Sequence, residues 1–181
     1  MRRITKAAIG GLAGCALVLG GTQGASAALE AKYRFRDALT DLLTDEGPFD
    51  SAKAKITIAE KTNDTTTFRI RIRGIDPSVA GQEFSAHLHV GSCDDSQGHY
   101  KRDPAGPAAP PNEVWFGLTP NGDGMAFDQT SVDFVPVDDV VDPGLMSIVI
   151  HERVLDSTGK FPKQACFPLD VPEWAPAPST E

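Results

Sequence analysis

Thr67-Phe68-Arg69-Ile70-Arg71-Ile72-Arg73 alternates apolar and cationic side chains residue by residue, the period of a half-buried β-strand. Phe68, Ile70 and Ile72 are expected to face a core, and Arg69, Arg71 and Arg73 to form a solvated face. Just upstream, residues 52–60 alternate in the same way, with Ala54, Ile56 and Ile58 set against Lys53, Lys55 and Thr57. Asn63-Asp64 supplies turn chemistry between the two runs, so they read as a hairpin.

Working outward, further strands are expected at residues 83–90, 114–118, 125–134 and 145–151, with Asn121-Gly122-Asp123-Gly124 as a turn. Short strands separated by turns predict an all-β sandwich or barrel. Residues 33–45 do not fit that pattern and read as a short helix or an N-terminal extension. Residues 103–111, with four prolines and a glycine, form a long irregular loop of the kind that often carries function.

The first 27 residues read as a signal peptide: Arg2, Arg3 and Lys6, then an apolar run, then Ala25-Ser26-Ala27. Leu12-Ala13-Gly14-Cys15 leaves open a lipoprotein anchor through Cys15, although the apolar run continues past that cysteine. The run itself is too short and glycine-rich for a transmembrane anchor. Residues 28–49 are expected as an N-terminal extension, 50–168 as the domain, and 169–181 as a proline-rich tail.

The chain carries 17 cations and 25 acids. Three of those cations precede residue 28, so the remainder balances at 14 − 25 = −11. That acidity argues against nucleic acid or anionic membrane as partners. After cleavage, Cys93 and Cys166 remain, and two cysteines in an exported chain most often pair.

There are four histidines, His87, His89, His99 and His151. His87 and His89 form H-x-H on an expected strand, so both rings leave the same face and could hold one metal ion. Such a pair alone equally fits two ordinary histidines. His151 ends an apolar strand and needs a polar partner, which a metal or a backbone carbonyl would supply.

Phe84-Ser-Ala-His87-Leu-His89-Val-Gly91-Ser-Cys93, then Gly98-His99-Tyr100, Ser147-Ile-Val-Ile-His151-Glu152 and Ala165-Cys166 resemble the copper/zinc superoxide dismutases, with a likeness over residues 50–168. The resemblance implies a Greek-key antiparallel β-sandwich or flattened barrel of about eight strands, immunoglobulin-like in layout. It implies copper on His87, His89, His99 and His151, a Cys93–Cys166 disulfide, and superoxide as the small-anion substrate, dismuted as the ion cycles between Cu2+ and Cu+.

The pattern departs from the family at its zinc site. No histidine lies between His99 and Trp115, where Asp103 and Glu113 are the acids, and Leu155 stands where the family has an aspartate linking the two metals. A copper-only member is therefore expected, with no zinc. Glu113 is the candidate to orient His99 in place of zinc, though a solvated loop acid reads equally well there. Lys163 replaces the arginine that guides superoxide, and the loop after H-x-H is short, which favours a monomer and an open site. Three functions fit the pattern: a secreted or envelope-located copper-dependent superoxide dismutase with His99, Lys163 and Glu113 in catalytic roles, a non-catalytic copper-binding protein on the same scaffold, or a structural or interaction sandwich of the envelope that merely retains the histidines.

Overall fold

The computed structural model describes residues 29–43, 45–134 and 146–170. The expected signal peptide, Cys15 and residues 171–181 of the expected tail lie outside them.

The strands are β1 (Leu29–Ala38), β2 (Thr40–Asp41), β3 (Lys53–Lys61), β4 (Thr66–Arg73), β5 (Phe84–Val90), β6 (Trp115–Leu118), β7 (Met125–Val132), β8 (Met146–Glu152) and β9 (Lys163–Pro168). They form two antiparallel sheets, β1-β3-β4-β7 and β2-β9-β8-β5-β6. The expected hairpin is β3 and β4, paired from Lys53↔Arg73 to Glu60↔Thr66. Its turn closes through Lys61 and Thr65, with Asp64 in the left-handed region at φ 56°.

After β4 the chain crosses to the second sheet for the β5–β6 pair, returns as β7 beside β4, and crosses again to set β8 beside β5. These are Greek-key connections, and the two sheets stay open as a sandwich rather than closing into a barrel. Alternation builds the core. Ile56, Ile58, Phe68, Ile70 and Ile72 from one sheet meet Phe84, Leu88, Phe116, Ile148 and Phe167 from the other, all essentially fully buried. Each such side chain contributes about 1.5–3 kcal/mol of hydrophobic stabilisation.

The sequence expectation fails at residues 33–45. Instead of a helix or a free extension, this stretch supplies most of β1 and all of β2, one edge strand for each sheet. The physical reason lies in the stretch itself: Phe35 is buried while Arg34 and Arg36 are exposed, so the period is two. Phe49 ahead of β3 is buried edge-to-face against Phe84 at 5.1 Å. The sequence pattern does not reveal the ninth strand, β9, because Lys163-Gln-Ala-Cys-Phe-Pro168 lacks clean alternation and is bounded by Pro162 and Pro168. Residues 103–111 hold no strand, as expected of an irregular loop.

Cys93, in the loop after β5, is joined to Cys166 on β9, with Cα atoms 5.6 Å apart. A disulfide fits an oxidising, extracytoplasmic environment. Among the described residues no helix is long and apolar enough to cross a membrane. The bridge closes a loop of 73 residues, which corresponds to about 4 kcal/mol of lost unfolded-state entropy. Replacing both cysteines by serine should lower the unfolding free energy by about that amount in urea titrations. An unchanged midpoint would show that the bridge does not restrain the unfolded chain.

Candidate metal centre

Strand β5 turns Phe84, Ala86 and Leu88 into the core, and so turns Ser85, His87 and His89 outward. Strand β8 does the same, with Met146, Ile148 and Ile150 inward and Ser147, Val149 and His151 outward. Register places His151 opposite Ser85 and Val149 opposite His87, so His87 and His151 lie one diagonal step apart on a shared face. An outward face would ordinarily be wet. Here the segment between β5 and β6 folds over it, leaving His87 and His89 only 4% and 2% exposed.

That cover is held by backbone pairing. Gly91 turns the chain at φ 92°, where a Cβ would collide with the Asp95 carbonyl. Val90 and Gln97 then bond to close the loop, and Tyr100 N–H donates to the Leu88 carbonyl at 2.8 Å. His99 is thereby delivered as an isolated bridge beside His89. Farther along, Asn112 knits the proline-rich loop. Its side chain accepts from the Asp103 amide at 2.8 Å and donates to the Asp103 and Pro107 carbonyls at 3.0 Å each. The next residue is Glu113, which the loop inserts into the site with 1% exposure.

All four histidines converge. One ring nitrogen from each of His87, His89, His99 and His151 lies within 4.8 Å of the others. Three tautomers follow from the partners of the opposite nitrogen. His89 Nδ1 faces the Gln97 carbonyl at 2.8 Å and His151 Nδ1 faces the Phe161 carbonyl at 3.2 Å; a carbonyl can only accept, so both Nδ1 atoms carry the proton. Their Nε2 atoms are then bare lone pairs, and they face each other at 3.2 Å. Two acceptors that close repel unless a cation lies between them. His99 Nδ1 points at Glu113 Oε2 at 2.8 Å, which frees its Nε2 as well. Among the described residues His87 has no hydrogen-bond partner at either nitrogen, although both are buried. A buried imidazole without a partner is costly, and a metal bond satisfies one of its nitrogens.

Burial dominates the electrostatics. It pushes the His87 pKa down to about 3, helped by the neighbouring His99, His151 and His89. Burial likewise lowers His89 to about 4, against a smaller opposing effect of its bond to Gln97, and it lowers His151. Neutral imidazoles gathered this way suit a late first-row transition ion.

The structure places Glu113 at the far nitrogen of His99 and adds a partner that the sequence did not reveal. Trp115 Nε1 donates to the same Glu113 oxygen at 2.7 Å, while its ring lies 4.6 Å from that of His87. Asp103, the other acid of the segment, accepts from the Ala105 amide within its own turn. Lys163 stands opposite His151 beside a β-bulge that re-aims it, and its ammonium donates to Ser96 O at 2.7 Å and Ser96 Oγ at 2.8 Å. Gln97 and Phe161 act through carbonyls, so their side chains gave no signal. Trp115 and Asn112 were visible only as residues near Glu113 in the chain.

No family model matches the chain, and no curated protein matches it. Among solved structures it is similar to one described as "Crystal Structure Analysis of the clock protein EA4", at 15% identity over 75% of this chain and 92% of that one, with a TM-score of 0.47.

Two outcomes test the centre. His87 and His89 have folded pKa values of about 3 and about 4, below their ordinary 6.5. The unfolded chain therefore binds protons that the metal-free fold refuses. Stability should be level above pH 6.5 and fall as pH drops from there towards 3, measured by urea unfolding of metal-free protein. A flat profile would show that these rings titrate normally. Changing Glu113 to Ala should weaken metal binding by roughly 10–100-fold in competition titrations, as for other outer partners of ligating histidines. Unaltered affinity would remove Glu113 from the site.

Proposed function

We propose that this protein is an exported, copper-dependent superoxide dismutase working without zinc. The observation that carries the reading is the pair of bare Nε2 atoms on His89 and His151, closed in by His87 and His99 on a buried face. The sequence resemblance to the copper/zinc dismutases and the disulfide support it further.

Copper held by these four imidazoles would supply one-electron exchange with superoxide, so that two superoxide anions and two protons yield dioxygen and hydrogen peroxide. The chain's own residues do the rest. His87, His89 and His151 stay neutral through burial and present fixed lone pairs. His99 differs from them: it is 27% exposed, and its Nδ1–H already faces a carboxylate. It is suited to accept a proton at Nε2 whenever that nitrogen is not bonded to the ion, because Glu113 stabilises the resulting imidazolium through Nδ1–H. Trp115 holds Glu113 in that position. Lys163 keeps a positive charge at the rim, where it draws a small anion inward.

One observation favours a second reading, a copper-binding protein without turnover. Lys163 already gives two hydrogen bonds to Ser96, which leaves less of the ammonium for a substrate.

Purified protein loaded with copper distinguishes the two. The dismutase should show one copper per chain and rapid superoxide consumption that slows with ionic strength. Changing His99 to Ala should abolish turnover, and changing Lys163 to Ala should reduce it and flatten its salt dependence. Tight copper binding with negligible turnover selects the second reading, and zinc in preference to copper removes both.

A further inference from the structure

The outward face of the other sheet is crowded with cations. Cross-strand register sets Arg36, Lys55 and Arg71 in one row. The row to one side holds Arg34, Thr57 and Arg69, and the row to the other Lys53 and Arg73. Like charges directly opposite on a sheet are destabilising, so this arrangement works against the fold that displays it. Lys55 registers the crowding: its pKa is lowered, first by Arg36. The ion pairs His99–Glu113, Arg102–Asp133 and Arg153–Glu83 all lie away from this face. Such concentration stands out in a chain whose net charge is −8.

The face is not flat. Two shallow depressions share Lys55 and Arg71 and continue into each other, from Ser51 and Gly74 at one end to Lys32 and Arg69 at the other. Asp37 is the one acid in their described lining, and its Oδ1 turns back to the Ala38 amide at 2.7 Å. Cations recur roughly every 5 Å across the strands and 7 Å along them, a repeat that suits a densely charged chain better than one small anion. Guanidinium forks bind sulfate and carboxylate in bidentate fashion.

We propose that this trough binds a linear acidic polysaccharide, sulfated or uronic, which would tether the protein by the sheet opposite its metal centre. Two observations favour a glycan over other polyanions. The disulfide fits an extracytoplasmic setting, in which an acidic glycan can meet the protein. Phe127, the exposed aromatic on the described part of this face, lies within its strand 5.8 Å beneath the Arg71 guanidinium, which holds its ring against the cationic surface rather than leaving it free to enter a bilayer. The metal centre occupies the outward face of the second sheet, so a bound glycan leaves it open, and binding does not depend on copper.

Titrating the protein with dextran sulfate at about 50 mM and about 200 mM salt tests the assignment, since binding through released counterions weakens steeply over that range. The variant Arg36→Gln/Lys55→Gln/Arg71→Gln should bind at least roughly tenfold more weakly. The control Arg102→Gln/Arg153→Gln/Lys160→Gln removes as many exposed cations elsewhere and should stay within about twofold. Thermal melts should show both variants folded, and His99→Ala should bind as the parent does. No binding at low salt, equal losses in the two triple variants, or tighter binding to duplex DNA or to phosphatidylglycerol vesicles would overturn the proposal.

Discussion

The hydrogen bonds from His89 Nδ1 to the Gln97 carbonyl and from His151 Nδ1 to the Phe161 carbonyl govern the metal centre. Each commits a proton to the outside of the cluster and leaves a lone pair inside. Nothing in the side-chain set resolves the resulting 3.2 Å contact between two acceptors, because Lys163 is directed at Ser96 and Glu113 at His99. The centre is thus organised for a cation before any cation arrives, which is how ligand preorganisation strengthens metal binding.

The first of those bonds exists because the loop after β5 is brought back over a sheet face that would otherwise be solvated, and the second comes from the connection between β8 and β9. Gly91 makes the reversal, Val90 and Gln97 close it, and Cys93 ties it to Cys166 on β9. Cys166 pairs in register with Val149, and Val149 with His87, so the covalent anchor and a ligand share one row across three strands. Burial then does two things together. It keeps the imidazoles neutral, as metal ligands must be, and it makes the fold sensitive to acid.

The two outward faces use charge in opposite ways. On the side of the histidine cluster, Lys163 is the cation among the described residues that acts on His89 and His151. On the other side the cations are packed row against row, and the sheet tolerates them because Ile56, Ile58, Phe68, Ile70 and Ile72 of β3 and β4 are fully buried beneath. Net charge averages over both faces and hides this segregation. An acidic total argues against a polyanion as partner only if the charge is evenly spread.

Much of this was legible in the chain. The alternation in β3 and β4 showed which of their side chains face out, short strands between turns predicted a sandwich or barrel, and four scarce histidines with matching neighbours pointed to one centre. Glu113 could be nominated from its position alone. β1 carries the same alternation over only residues 33–36, too few to separate a strand from a helix; hidden outright were β2 and β9, the bonds of Trp115 and Asn112, and the carbonyls of Gln97 and Phe161. The division has a physical cause. Period-two patterning is local, since each residue's face follows from its neighbours along one strand. Tautomers, loop cover and the joining of rows into a trough depend on groups far apart in the chain, and only the folded register brings those together.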